Sequence, residues 1–187
     1  MKPLQLHKPH LLVVVGLPGA GKTYFASQFS DTFNAPYINY GFYAKHVGNE
    51  KVAEELATHA LMQLLKTKQT IVIEGVGNTR DDRREIVRVA SKHGYDVLYI
   101  WVQTEPQTTE QRAVRSKMAT MTRDEYEERI KKFELLLRTE AHVVISGKHT
   151  YASQAKTVLK RLATDRPAPA SVPVPVRSTS SRGRLVR

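Results

Sequence analysis

Short runs of aliphatic and β-branched residues alternate along the chain with stretches whose apolar residues recur every three or four positions. Leu11–Val15, Tyr37–Asn39, Thr70–Glu74, Val97–Val102 and His142–Ile145 are the runs, and they read as strands. Four of them are nearly all apolar, the pattern of strands covered by helices on both faces. Helical spacing links Phe25 to Phe29, Val52 to Leu56, and Ile86 to Val89, Ala90 and His93, which places His93 in the core. The same spacing joins Tyr126, Ile130, Phe133 and Leu137, and then Ala155, Val158, Leu159 and Leu162. Ser91-Lys92-His93-Gly94 reads as a helix end capped by glycine. The β-α-β-α order predicts an α/β fold, a three-layer sandwich around a five-stranded parallel sheet.

Residues 166–187 break this pattern. Pro167, Pro169, Pro173 and Pro175, the cluster Ser178-Thr179-Ser180-Ser181 and the absence of any acid give no helical or strand period. Five arginines (Arg166, Arg177, Arg182, Arg184 and Arg187) carry +5 of the chain's net +11. The expectation is a domain over 1–165 followed by a disordered basic tail, either solvated or in contact with nucleic acid or another polyanion. The whole-chain charge favours anionic partners without specifying a fold.

A chain of 187 residues is long enough to bury one real core. It has no cysteine, which excludes disulfide frameworks, thiolate metal sites and cysteine nucleophiles. Its seven histidines show no metal-ligand spacing. The run Leu11–Val15 is too short to span a bilayer. Lys2 and Lys8 ahead of it, with Gly19-Ala20 behind, could suggest a secretory signal, but Gly16 and Pro18 interrupt the run. The expectation is a cytoplasmic protein without membrane contact.

Gly16-Leu17-Pro18-Gly19-Ala20-Gly21-Lys22-Thr23 matches G-x-x-x-x-G-K-[ST] in full, between an apolar strand and an amphipathic helix. Glycines let backbone N–H groups turn inward around a phosphate, and the helix beginning near Lys22 adds its positive end. Lys22 is placed to reach the β- and γ-phosphates, and Thr23 to offer a hydroxyl to Mg²⁺. The chain thus resembles the small P-loop kinases of the group that includes polynucleotide 5′-kinases and zeta-type toxin kinases, over about residues 10 to 163. Three further segments carry the resemblance. Thr70–Glu74 stands where that group has its Walker B acid. Gly77-Asn78-Thr79-Arg80, with Arg83 and Arg84, resembles its Asn and Arg-rich helix. Val97–Val102, Thr104-Glu105-Pro106, Arg112 and Arg115 resemble its fourth strand and lid.

The resemblance implies an ATP-dependent phosphotransferase using Mg²⁺, with Gly16 through Thr23 binding the nucleotide and Thr23 and Glu74 on the metal side. Lys22, Glu74, Arg112 and Arg115 are its catalytic candidates, and Thr104-Glu105-Pro106 suits a lid hinge. The group usually places an aspartate after the second strand as general base; this chain has Asn39 there, and no acid between Asp31 and Glu50. Either Glu74 does both jobs, another acid such as Asp81 helps, or transfer is weak. An ATP-dependent binding or switch module is therefore the alternative to a kinase. The acceptor is a hydroxyl of a small molecule or of a nucleic-acid 5′ end. Arg80, Arg83 and Arg84 offer themselves to an anionic acceptor, or form a charged helix face with Asp81 and Asp82. Tyr37, Tyr40, Phe42 and Tyr43 either stack a base near the acceptor or pack a loop on the core.

A segment without an apolar face contributes little burial. Deleting Arg166–Arg187 is accordingly expected to leave the thermal midpoint nearly unchanged in a calorimetric scan; a drop of many degrees would show that the tail docks on the body.

Overall fold

The computed structural model describes residues 4, 6–117, 119 and 121–164; the expected basic tail over 166–187 lies outside the described residues. Five strands appear in chain order: β1 (His10–Val15), β2 (Tyr37–Asn39), β3 (Ile71–Glu74), β4 (Asp96–Gln103) and β5 (His142–Ser146). They form one parallel sheet in the order β2-β3-β1-β4-β5. Each connection crosses over through helix: α1 (Lys22–Phe33), then α2 (Tyr40–Val47) and α3 (Glu50–Leu65), then α4 (Arg80–Lys92). The last crossover holds α5 (Pro106–Glu110), a π-helical turn (Gln111–Arg115) and α6 (Arg123–Lys132), and α7 (Tyr151–Thr164) follows β5. Among the described residues no helix is long and apolar enough to cross a membrane.

The expected three-layer sandwich is the one observed. β1 sits between β3 and β4 and is buried along its whole length, so its residues alternate between two apolar layers. Leu12 and Val14 pack with Phe25 and Phe29 of α1, Leu98 and Ile100 of β4, and Val158 and Leu162 of α7. Leu11, Val13 and Val15 pack on the other side with Ala57, Leu61 and Leu65 of α3, Ala90 of α4, and Tyr99. A buried aliphatic side chain of this kind stabilises by about 1.5–3 kcal/mol.

Two helical stripes differ from the expected ones. On α3 the buried stripe is Ala53, Ala57, Leu61 and Leu65, while Val52 and Leu56 are 42% and 47% exposed. Four-residue spacing fits both stripes, and the small alanines let the helix lie close to the sheet. α6 ends at Lys132, with Phe133 its extended cap and Leu137 exposed. The backbone beyond it is taken by other partners: Glu134 N–H donates to Asn78 O at 2.9 Å. His93, expected in the core, is the half-buried cap residue of α4, its Nδ1 paired with Val89 O at 2.9 Å; Gly94 follows in the left-handed region.

The segment after α6 is held by Arg83, a charged side chain only 1% exposed. Its Nε and Nη2 donate to the two carboxylate oxygens of Glu140, at 2.6 and 3.3 Å. Nη1 donates to Gly77 O and Glu134 O, and Nη2 also to Leu135 O, at 3.0–3.3 Å. Burial pushes the Glu140 carboxyl up, but the Arg83 guanidinium and the Leu137 N–H outweigh it and hold the group below its ordinary range. Arg83 is thus a pin between α4 and the 134–140 segment and is not offered to an acceptor. Arg84 pairs with Asp81 on the surface at 3.0 Å, and Asp82 closes a capping box with Thr79. Removing the Arg83 side of the pair leaves the Glu140 carboxylate with only the Leu137 N–H and takes the Arg83 donors from three carbonyls, at a cost of about 3 kcal/mol. Urea unfolding of Arg83→Ala should show that loss, and Arg83→Lys should recover little of it, because a point charge cannot copy the fork.

Candidate nucleotide-binding site

The loop Gly16–Gly21 leaves the carboxyl end of β1, where the strand order turns to β3 on one side and β4 on the other; such switch points form the ligand crevice of open α/β sheets. The chain then enters α1 at Lys22. Two glycines fix the loop by close approach. Gly19 has φ +79°, and a Cβ there would collide with the Thr109 carbonyl of α5. A Cβ on Gly147, just after β5, would collide with both Ala20 O and the Thr104 hydroxyl. Thr104 also donates to Ala20 O at 3.0 Å, and Gly147 N–H to Gln103 O at 2.8 Å. The ends of β4 and β5 therefore form the back wall of the loop.

Lys22 is half-buried, its Nζ donating to Gly16 O and Leu17 O, each at 2.9 Å. Burial lowers its pKa to about 8; Glu74 opposes that shift and Arg129 adds to it. Glu74 ends β3 and is 3% exposed. Its Oε1 accepts from Thr23 Oγ1 at 2.8 Å and from the Tyr37 hydroxyl at 2.7 Å. Its Oε2 is buried and has no partner among the described residues. Burial, and then the Glu74 carboxylate, push the Tyr37 hydroxyl far above its ordinary range, so Tyr37 stays a proton donor. Asn39 Nδ2 in turn donates to the Tyr37 oxygen at 3.2 Å, while Asn39 Oδ1 accepts from Phe42 N–H at 3.0 Å and caps α2.

The structure thus brings Lys22, Thr23 and Glu74 together. Asp81 is not with them: its side chain is 90% exposed and paired with Arg84. Arg112 reaches back to Gly19 O at 3.5 Å, the outer limit of a hydrogen bond. Arg115 is held by Glu110 at 2.7 Å. Both belong to the π-helical turn. The segment expected as a hinge is tied down, since Thr104 bonds Ala20 O, and Glu105 pairs with Lys148 at 2.7 Å. The Thr109 and Tyr126 hydroxyls, 2.6 Å apart, both reach Pro106 O and join α6 to α5. Of the four clustered aromatics, Tyr37 alone reaches Glu74. Tyr40 and Tyr43 pack against the core, Tyr40 lying 3.5 Å from the Thr58 hydroxyl, and exposed Phe42 stacks on His46.

The sequence reading missed Arg129, on α6 within electrostatic reach of Lys22, and the wall formed by Thr104 and Gly147. A hollow of about 620 Å³ opens beside Leu17 at the ends of β4 and β5, lined by Trp101, Phe133, Leu135, Val144 and Lys148. Lys22 and Glu74 do not line it, so it lies next to the phosphate loop and outside the convergence of charged groups.

The AAA-domain family matches residues 11–136, from β1 through α6 and into the segment that Arg83 holds. The chain belongs to this P-loop kinase-like family. Among solved structures, the fold of this AAA-domain protein is similar to a sugar kinase from a Janibacter species, with TM-score 0.64 and 14% identity over 83% of this chain and 95% of that one. It is also similar to a gluconokinase from Sinorhizobium meliloti, with TM-score 0.63 and 16% identity over 83% and 93%. At such identities the likeness shows the fold alone. No curated protein matches the chain in sequence.

A lysine with a pKa near 8 holds a polyphosphate best when charged, and a bound anion raises that pKa. ATP affinity is expected to fall as pH rises past about 8. Binding near pH 8 should take up about half a proton, with more uptake above that pH and little well below it. Calorimetry in buffers of different ionisation enthalpy measures the uptake directly.

Proposed function

We propose that the protein is a kinase that binds ATP with Mg²⁺ and transfers the γ-phosphate to a hydroxyl of a small molecule. The observation that carries this reading is the pairing of Thr23 with a buried Glu74 whose Oε2 has no partner, directly beside Lys22. An uncompensated buried carboxylate oxygen is costly, and a metal-bound water or an acceptor hydroxyl would satisfy it. The donor set suits Mg²⁺: a threonine hydroxyl oxygen and a carboxylate, both hard oxygen ligands. Thr23 and Glu74 would hold the ion, which when bound would supply positive charge against the negative charge that develops during transfer.

In this reading the loop from Gly16 to Thr23, including Leu17, Pro18, Gly19, Ala20 and Gly21, turns its backbone N–H groups to the phosphates. Lys22 moves from the loop carbonyls onto the β- and γ-phosphates. Glu74 Oε2 orients, and accepts a proton from, the attacking hydroxyl. Arg112 and Arg129 supply positive charge from the lid, and Arg115 does so only by leaving Glu110. Most of the acceleration comes from positioning and charge stabilisation. The acceptors named for the two neighbours, sugar and gluconate, head the trial panel. A nucleic-acid end has less support, because the basic helices are laced with ion pairs such as Arg84–Asp81, Arg123–Glu127 and Lys132–Glu128.

A binding or switch module with little transfer is the second reading, favoured by Asn39, whose two polar groups are already engaged within the protein. Incubation with γ-labelled ATP and pooled sugars, sugar acids, nucleosides and 5′-hydroxyl oligonucleotides separates the two. Label on an acceptor is expected; label on inorganic phosphate alone, in every pool, would favour the module. Lys22→Ala should abolish turnover and weaken Mg·ATP binding without unfolding the domain. Glu74→Gln should keep most nucleotide affinity and lower turnover by about 10²–10⁴-fold.

A further inference from the structure

Asn39 stands in parallel register with Glu74 on the neighbouring strand, and Tyr37 projects from the same face of β2 two residues earlier. Their polar groups form one chain with a fixed direction. Asn39 Nδ2 donates to the Tyr37 oxygen, and the Tyr37 hydroxyl donates to Glu74 Oε1, which Thr23 also reaches. A tyrosine hydroxyl has one proton. With the Asn39 amide donating from the other side, that proton has Glu74 alone to point at, whereas a carboxylate at 39 would compete for it. With both hydroxyls on Oε1, the carboxylate cannot rotate freely, and Oε2 is the oxygen left for the reaction side.

We propose that Tyr37 and Asn39 are positioning residues for Glu74: Asn39 keeps the Tyr37 proton directed at Oε1, which fixes Oε2 toward the metal and the acceptor. Asn39 is then a required donor and not a vacated seat for a base. This inference rests on the kinase reading of Glu74. It adds that the side chain at 39 must be neutral and long enough to bring a donor to the Tyr37 oxygen. The same residue caps α2 through Oδ1, so the capping role has to be held constant in any test. Serine and aspartate both cap well; serine, shorter by one bond, withdraws the amide donor from the Tyr37 oxygen without adding charge, and aspartate adds a carboxylate without a proton to give.

The test measures Mn²⁺ affinity by electron paramagnetic resonance in the complex with a non-hydrolysable ATP analogue, alongside kcat and KM for ATP turnover. Groups that orient a metal-site carboxylate typically govern affinity or activity by about 10–100-fold. Tyr37→Phe and Asn39→Ser are each expected to weaken Mn²⁺ by about tenfold and to lower kcat, with KM for ATP and affinity for the metal-free analogue within about twofold. Because Asn39 acts through Tyr37, the double variant should be no weaker than Tyr37→Phe alone. Asn39→Asp should lose at least as much as Asn39→Ser. Higher turnover in Asn39→Asp than in the parent, or fully additive losses in the double variant, would overturn the proposal. Glu74→Gln separates the two levels of the argument. If it weakens Mn²⁺ and Tyr37→Phe does not, the positioning role alone falls. If Glu74→Gln matches the parent in both readouts, the kinase reading of Glu74 falls and takes the positioning role with it.

Discussion

A carboxylate buried at the end of β3 sets the terms for the rest of the site. Leaving such a charge without partners costs several kcal/mol. Each hydrogen bond from a neutral donor to an ionised acceptor returns about 1.5–3 kcal/mol. Thr23 and Tyr37 supply two such donors, one from α1 and one from β2. Their geometry places a helix N-terminus, an edge strand and the Glu74 strand at fixed distances around the phosphate loop. The same carboxylate works against the drop in the Lys22 pKa, so the acid also helps to keep its neighbouring base charged.

The segment expected to act as a lid is, in mechanical terms, not a free flap. Its root is locked: Gly19 lies against Thr109, and Thr109 and Tyr126 share the Pro106 carbonyl. Among its basic groups, Arg112 touches the loop, Arg115 is engaged by Glu110, and Arg129 approaches from α6. The π-helical turn Gln111–Arg115 aims Arg112 back at the loop. Such turns often occur at functional sites.

Much of this was legible before the structure. The inner strands were clear because apolar runs buried on two faces leave little ambiguity, and all five strands were found within one residue at either end. The loop was clear because its residue types are dictated by phosphate geometry. What stayed hidden depends on contacts far apart in sequence. Period alone could not choose between Val52 with Leu56 and Ala53 with Ala57 on α3. Nor could it show that Arg83 would turn inward, since the partners that make burial tolerable, Glu140 and the carbonyls of 134–135, lie more than fifty residues away. Tyr37 looked like one aromatic among four until strand register placed Asn39 beside Glu74.

The contact of Gly147 with Ala20 has a bearing on synthesis as well as on architecture. The loop motif is complete by Thr23, yet its rear wall includes a residue more than a hundred positions later, beyond the stretch that the family match covers. Chains emerge from the ribosome amino end first. A nascent chain therefore carries its nucleotide motif for most of its elongation with one wall missing. The contact at the rear of the loop is made only when β5 joins the edge of the sheet. Closing the rear wall of the phosphate loop is therefore a late event in synthesis, one that waits on the last strand.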